Sequence, residues 1–172
     1  MDKIDDDEFD EFINSLANVK EERGNLTREI AEKFLEDEDN ISISKCISID
    51  DDAAEILAKH KGYLYLSGLR ELSDAAAESL AKQQGYLYLD GLSSLTDTVA
   101  QSLSRHQGCP ASENRMDFED FEFLNLKGLT ELSDAAAESL SKHQGILNLS
   151  GLTSLTDTAA ESLSKHEGKI VR

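Results

Sequence analysis

The clearest pattern of apolar and polar positions lies in residues 62–84, GYLYLSGLRELSDAAAESLAKQQ. The segment YLYLS at 63–67 alternates with the period of a β-strand, which predicts its leucines on one face and its tyrosines and serine on the other. The segment GLREL at 68–72 predicts a turn, with a glycine where the backbone needs conformational freedom and leucines that fill the interior.

The remainder of this stretch, from residue 73 to 84, predicts a helix. Ser73 is the predicted N-cap, and Asp74 stands in the first turn, where a negative charge is favourable. Lys82 is predicted in the last turn and Gly85 at the C-cap position. The apolar stripe predicted to face inward consists of Ala76, Ala77, Leu80 and Ala81.

The same strand, turn and helix return every 23 residues. A fixed period of this size is the signature of stacked repeats, which bury their apolar faces against their neighbours. In the first and most divergent copy, Ile41 and Ile43 take the places of two strand leucines, and Cys46 stands as a small buried side chain. The five predicted repeats are residues 40–62, 63–85, 86–108, 123–145 and 146–168.

Three segments outside the repeats complete the predicted organisation. Residues 1–39 are predicted to form an acidic helical N-terminal cap, with an amphipathic helix over 1–22 followed by a degenerate half-repeat. Residues 109–122 contain the single proline of the chain and are predicted to form an inserted surface loop. Residues 169–172, KIVR, are predicted to begin a further strand with an open edge.

These elements predict an α/β fold. We expect a solenoid of about five strand-turn-helix repeats, with a parallel sheet on one side, helices on the other and a helical cap at the N-terminus. The pattern LxLxGLxxL(S/T)DxxAxxL resembles the leucine-rich repeat family, chiefly its bacterial forms, over about 129 residues. The resemblance implies that the strands line one side of the solenoid and that this side binds proteins.

The charge of the chain restricts its partners. There are 35 acidic and 17 basic residues, which give a formal net charge of −18. We expect no binding to nucleic acid or to anionic membranes, since both need Lys and Arg, and we expect basic partners instead. The sequence has no apolar run of about 18 residues, no signal-peptide pattern in its first ten residues and only two cysteines. These features predict a cytoplasmic location.

One repeat position carries histidine in most copies: His60, His106, His143 and His166, with Gln83 in the second copy. A metal ladder is one interpretation, but the positions lie a full repeat apart and have no fixed carboxylate or cysteine beside them. We interpret them as structural residues of the last helical turn, where the helix dipole stabilises a positively charged imidazolium. No convergent acid-base site or cofactor motif is present, so we predict no enzyme activity, no cofactor and no metal.

All four tyrosines fall on outward positions of two adjacent predicted strands: Tyr63, Tyr65, Tyr86 and Tyr88. Phe123, Asn125 and Asn148 continue the same rows on the following strands. Clustered aromatic side chains on an exposed sheet face are typical of protein interfaces. Tyrosine pairs across strands can also serve the sheet alone, and the loop 109–122 could fold over them.

The sequence therefore predicts a non-catalytic interaction scaffold that binds a protein or peptide through these seven residues of the sheet face. The alternative is a structural protein that associates with itself into a homo-oligomer. In that case the contact is the C-terminal sheet edge at Ile170 and Val171.

Overall fold

The computed structural model describes residues 24–106 and 123–172, which form a mixed α/β fold with six helices and a five-stranded parallel sheet. The helices are α1 (Arg28–Glu36), α2 (Asp51–Leu57), α3 (Asp74–Leu80), α4 (Asp97–Leu103), α5 (Asp134–Leu140) and α6 (Asp157–Ser164). The strands are β1 (Asn25–Leu26), β2 (Ser48–Ile49), β3 (Lys61–Tyr65), β4 (Gln84–Tyr88), β5 (Phe123–Asn125), β6 (Ile146–Asn148) and β7 (Ile170–Val171). Strands β1 and β2 form a small parallel pair, and β3 to β7 lie side by side in chain order. The predicted helix at 1–22 and the predicted loop at 109–122 lie outside the described residues.

The alternation predicted for the strands is confirmed. Leu64 and Leu66 are fully buried, whereas Tyr63 and Tyr65 on the other face are exposed. The equivalent leucines of the later strands are also buried: Leu87, Leu89, Leu124, Leu126, Leu147 and Leu149. They form one core with the small apolar side chains of the helices. Because each buried leucine contributes roughly 1.5–3 kcal/mol, this core holds the sheet and the helices together.

The N-termini of α3, α4, α5 and α6 are capped by side-chain hydroxyls, as predicted for Ser73, and these caps also join one repeat to the next. Ser133 Oγ accepts a hydrogen bond from the Ala136 N–H (3.0 Å) and donates one to the Asp97 carboxylate of the preceding repeat (2.5 Å). The same donation links Ser73 to Asp51, Thr96 to Asp74 and Thr156 to Asp134. Each of these aspartates therefore stabilises the N-terminus of its own helix and binds the cap of the next helix.

The prediction that Gly85 caps the C-terminus of a helix is wrong. Helix α3 ends with Ala81 as its C-cap, and Gly85 lies inside β4 with a φ of 148°. A Cβ on Gly85 would overlap the carbonyl oxygen of Gly62 on the neighbouring strand. The glycine is therefore needed for entry into the strand, where a positive φ coincides with close backbone contact. Lys82 also lies beyond α3, where its Nζ is 3.7 Å from the Glu78 carboxylate.

The strand predicted around Ile41 and Ile43 is not formed. Neither residue belongs to a strand, and the described part of the large sheet begins with β3. Asp39 stands where the later repeats have a glycine, and Gly62 at this position has a φ of 121°. Residues with a Cβ rarely adopt that conformation. Ile43 and Cys46 are nevertheless buried in the core, so the first copy keeps its interior side chains without its strand.

The helices follow the predicted period. Their N-caps succeed one another at 23 residues, except that α4 and α5 are separated by 37 because of the 14 extra residues between the repeats. Strands β4 and β5 still pair in register, with Tyr86 beside Phe123. Strand β7 lies beside β6 at the end of the sheet, as predicted for the C-terminal segment.

Replacing Ser133 by alanine should lower the free energy of unfolding by about 1–2 kcal/mol, because α5 loses its cap and Asp97 loses a donor. Urea unfolding followed by far-UV circular dichroism measures the change. Ser154→Ala removes an exposed hydroxyl from the following repeat and is the matched control, with an expected change below about 0.5 kcal/mol. Equal losses in both variants would contradict the importance of the cap.

Candidate functional site

The four tyrosines lie together on the face of the sheet that points away from the core. Strands β3 and β4 pair in register, which places Tyr63 beside Tyr86 and Tyr65 beside Tyr88. The ring centroids of the first pair are 4.5 Å apart with planes at 9°, and those of the second pair are 4.7 Å apart at 27°. Along β3, the rings of Tyr63 and Tyr65 are 6.2 Å apart and nearly parallel. We call these four residues the tyrosine patch.

The tyrosine patch combines exposure with fixed ring orientation. The side chains of Tyr63 and Tyr65 are 51% and 49% exposed, and Tyr86 and Tyr88 are half-buried beside them. Each exposed ring stacks on a less exposed one, which limits its rotamer freedom. Aromatic pairs of this kind contribute about 0.5–1.5 kcal/mol beyond the area that they bury. A partner would therefore meet a rigid aromatic surface and lose little additional side-chain entropy on binding it.

The phenol of Tyr88 is held in its neutral form. Burial raises the pKa of Tyr88, and the neighbouring Tyr65, Tyr63, Asp90 and Tyr86 raise it further. A neutral phenol can both donate and accept a hydrogen bond. Asp90 lies in the turn two residues after the end of β4 and accepts a hydrogen bond from Ser67 Oγ at 2.9 Å, so the patch has a negative charge at its border.

The two predicted asparagines are less exposed than Tyr63 and Tyr65. The backbone of Phe123 continues the tyrosine row on β5. Asn125 is only 7% exposed, and its Oδ1 accepts a hydrogen bond from the Lys127 N–H at 3.1 Å. Asn148 Oδ1 accepts one from the Ser150 N–H at the same distance. The two asparagines therefore stabilise the ends of their strands, and Asn125 offers a partner little surface.

The histidine position of the repeat lies in the interior, beyond the end of each helix. The interpretation that placed these histidines in the last helical turn is wrong, because the His106 N–H donates to the carbonyl of Leu103, the final residue of α4. The side chains of His106 and His143 are each 1% exposed. Ring centroids are 6.1 Å apart between His106 and His143 and 6.3 Å apart between His143 and His166. We call this set the polar column: His60, Gln83, His106, His143 and His166.

The polar column is only partly hydrogen-bonded. His106 Nε2 lies 3.1 Å from Gln83 Oε1, and Gln83 Nε2 donates to the carbonyl of Gly62. His106 Nδ1 and both ring nitrogens of His143 have no hydrogen-bond partner within the described structure. Burial lowers the pKa of His106 to about 4, and burial together with charge on His106 and His166 lowers the pKa of His143 to about 4. These two side chains are neutral at pH 7, so attraction to the helix dipole does not explain them.

A groove lies at the β3 edge of the sheet, and the sequence analysis did not predict it. Its volume is about 550 Å³, and we call it the edge groove. The lining residues are Phe34, Glu38, Asp39, Asn40, Ile41, Ser42, Ile43, Ser44, Tyr65 and Ser67. The groove occupies the place where the first repeat lacks its strand. The signal in the sequence was Asp39, which replaces the repeated glycine.

Comparison of the chain with models of protein families, with curated proteins and with solved structures gave no match. Within residues 24–106 and 123–172, no three His, Cys, Asp or Glu side chains are grouped so that they could hold a metal ion. No helix in these two ranges is long and apolar enough to cross a membrane. The tyrosine patch and the edge groove are therefore the features on which functional proposals can be based.

Acid should destabilise the fold through the polar column. The unfolded chain binds protons on histidine near pH 6.5, whereas folded His143 binds one only near pH 4, so stability decreases as the pH falls between these values. His143→Gln introduces the residue that the second repeat has at position 83 and removes this titration. We expect the loss of unfolding free energy between pH 7 and pH 4.5 to be about 2–3 kcal/mol smaller in the variant than in the parent.

Urea unfolding at the two pH values measures this difference, and the carboxylate contributions cancel between the parent and the variant. Lys142→Gln, a neighbouring exposed position, is the control and should keep the pH dependence of the parent. The same pH dependence in His143→Gln and in the parent would contradict a buried neutral His143.

Proposed function

We propose that this chain is a non-catalytic interaction scaffold, built as a leucine-rich-repeat-like solenoid, that binds a protein or peptide through the tyrosine patch. The solenoid is supported by bonds that join the same position of successive repeats. The Arg70 N–H donates to the Ile47 carbonyl, and the Thr153 N–H donates to the Thr130 carbonyl. Stacked units of this kind bury their core between neighbours and leave the sheet face as a continuous recognition surface.

The observation that carries the proposal is the exposure of Tyr63 and Tyr65, whose rings stack on those of Tyr86 and Tyr88. Among the residues that the structure describes, these two are the large apolar side chains with the most exposed area. Tyrosine is enriched among the residues that dominate protein–protein binding energies. Only the next copy repeats these tyrosines, and the first, fourth and fifth copies have none at the same strand positions, so the patch is not required by the repeat itself.

A basic partner fits this surface best. The chain has a net charge of −18, and Asp90 borders the tyrosine patch in the turn that follows β4. An arginine or lysine placed over a tyrosine ring gains a cation–π interaction of about 0.5–2 kcal/mol. The negative field of the chain would also raise the rate of encounter with a positively charged partner. We therefore propose a protein or peptide that presents Arg or Lys side chains to the rings.

Replacing both Tyr65 and Tyr88 by alanine should lower the affinity for the partner by about 30-fold or more, since loss of aromatic anchors costs about 2 kcal/mol or more of binding free energy. Affinity capture from extracts of the cell that makes the protein, read by mass spectrometry, identifies the partner. Calorimetric titration with the purified partner then measures the affinity of each variant. The far-UV circular dichroism spectrum should be unchanged, because both side chains lie outside the core.

Thr98→Ala combined with Gln101→Ala is the matched control. Both residues are exposed on α4, on the helical side of the fold, and their removal should leave the affinity unchanged. A partner that binds the tyrosine variant as tightly as the parent would contradict the proposal and would place the binding surface elsewhere.

Self-association is the alternative function, and the position of β7 favours it as a second candidate. Strand β7 is the last strand of the described sheet, and the carbonyls of Val171 and of Lys169, the residue before β7, accept hydrogen bonds from the N–H groups of Leu149 and Leu147. The intervening Ile170 and the following Arg172 direct their backbone groups to the other edge, since neighbouring residues alternate. An open edge of this kind can pair with a strand of a second molecule.

Light scattering over a range of concentrations decides between the two candidates. The scaffold proposal expects the mass of a single chain, 18.9 kDa, at every concentration. Self-association through β7 expects a mass that rises with concentration and returns to one chain in Arg172→Pro, which removes an outward N–H. An oligomer that persists in Arg172→Pro would contradict pairing through this edge.

A further inference from the structure

The first strand of the large sheet has an edge that no described residue pairs. In the later repeats a leucine N–H donates to a carbonyl of the next strand: Leu66 to Tyr88, Leu89 to Asn125, Leu126 to Asn148 and Leu149 to Val171. The equivalent donor to the Tyr65 carbonyl would be Ile43, and that bond is absent from the described structure. Because neighbouring residues of a strand point to opposite edges, the backbone N–H and C=O of Tyr65 face this open edge.

The chain turns away before it reaches this edge. Helix α1 has nine residues, whereas α2, α3, α4 and α5 have seven. Asn40 Nδ2 then donates to the Asp37 carboxylate at 2.9 Å, and the Ile41 N–H donates to the Asp37 carbonyl at 3.2 Å. These bonds form a turn where the strand would begin. Without the glycine that Asp39 replaces, the chain does not enter the sheet here.

The open edge has room for one strand, and the backbone of the first repeat closes it near Gly68. At Gly68 the backbone of the first repeat has returned to close contact, since a Cβ there would lie 2.6 Å from the Cys46 carbonyl oxygen. Between these limits lies the edge groove, where the half-buried Ile41 provides apolar surface, and Phe34 and Ile43, which also line it, are only 8% and 2% exposed. Its charged lining residues are both acidic, Glu38 and Asp39.

A second copy of the chain does not fit the edge groove. If β7 of a second copy continued the sheet there, the α6 helix of that copy, which precedes its β7, would overlap α1. Helices α1 and α2 already fill the helix layer beside the opening. Residues 1–23 of the chain carry nine acidic and three basic residues, so the acidic lining would repel them. The opening therefore suits a bare extended segment with positive charge.

We propose that the edge groove binds a short extended peptide in which basic and branched apolar residues alternate, and that this peptide adds to β3 as a further strand. Its backbone bonds to the N–H and C=O of Tyr65, its apolar side chains contact Phe34 and Ile41, and its basic side chains approach Asp39. The edge groove adjoins the tyrosine patch at Tyr65, which lines both, but the proposed peptide is held by the Tyr65 backbone and by acidic groups rather than by the stacked rings. A peptide of about five residues fills a strand of the length of β3.

Fluorescence anisotropy with the full chain and a labelled, capped peptide Lys-Ile-Lys-Val-Lys tests the proposal. The expected result is saturable binding that Asp39→Lys weakens by about tenfold or more, because a charge that attracts the peptide becomes one that repels it. Glu131→Lys is the control, since Glu131 is an exposed acidic residue on a distant repeat and changes the net charge equally. Its effect should be less than about twofold, as screening weakens distant charges.

Three further peptides test the charge preference and the strand geometry. Glu-Ile-Glu-Val-Glu should not bind. Replacing one central amide of the basic peptide by an ester removes a single N–H. The replacement should weaken binding where the N–H faces β3 and should leave binding unchanged at the adjacent residue, because alternate residues face β3. Each peptide experiment leaves the tyrosines intact, so failure here does not affect the tyrosine patch proposal, and failure of the alanine variants there does not affect this one.

Each of the following results overturns the proposal: the absence of saturable binding, saturable binding of the acidic peptide, equal weakening by Asp39→Lys and Glu131→Lys, equal effects of the two ester positions, and displacement of the basic peptide by a peptide of residues 1–23. The last result would make the N-terminal segment of the chain the occupant. Light scattering that shows Asp39→Lys abolishing an oligomer would instead make a second copy the occupant.

Discussion

Close stacking at a period of 23 residues is the constraint on which the structure depends. A single repeat cannot satisfy its own strand backbone, cannot bury its leucines and leaves the hydroxyl of its helix cap without an acceptor. The adjacent repeat supplies each of these partners, as the donation from Ser133 to Asp97 shows. The fit is close enough that a Cβ on Gly91 would lie 2.5 Å from the Ser67 carbonyl oxygen. The sequence is therefore held constant where repeats touch and can vary only where they do not.

Both proposed binding surfaces arise where the chain departs from this rule. The tyrosine patch occupies outward strand positions, where neighbouring rings stack but no close backbone contact restricts the residue type, and two adjacent copies use that freedom in the same way. The edge groove has a different origin, because Asp39 breaks the rule at a position that stacking does restrict. The tyrosine patch adds a proposed binding surface to complete repeats, whereas the edge groove results from the absence of one strand.

The period, the strand alternation and the capping residues could be predicted from the sequence, because each depends on contacts within one repeat or on an identical neighbour. The place of Gly85 could not, since glycine serves equally at a helix end and at a close strand entry, and both need a positive φ. The environment of His143 was also missed. Periodicity gives the position of a residue along the repeat, but burial depends on how the neighbouring repeats close over it.

The candidate site was predictable to a similar extent. Alternation placed all four tyrosines on one face, and the register of β3 and β4 then determined which rings stack. The low exposure of Asn125 was not predictable, because Asn148 occupies the same repeat position, makes the same hydrogen bond and is more exposed. The missing first strand depends on one residue in a copy that otherwise aligns without gaps. Similarity across a whole repeat therefore gives little warning of a local change at its glycine.

The pairing of Tyr86 with Phe123 has a consequence for how such a chain can change. These partners are 37 residues apart, whereas Tyr63 and Tyr86 are 23 apart, and both pairs occupy the same register. Closing the longer connection costs only about 0.4 kcal/mol more in chain entropy, since this cost grows with the logarithm of length. The junction between helix and strand is thus a place where evolution, or a protein engineer, can add sequence to the scaffold at little thermodynamic cost.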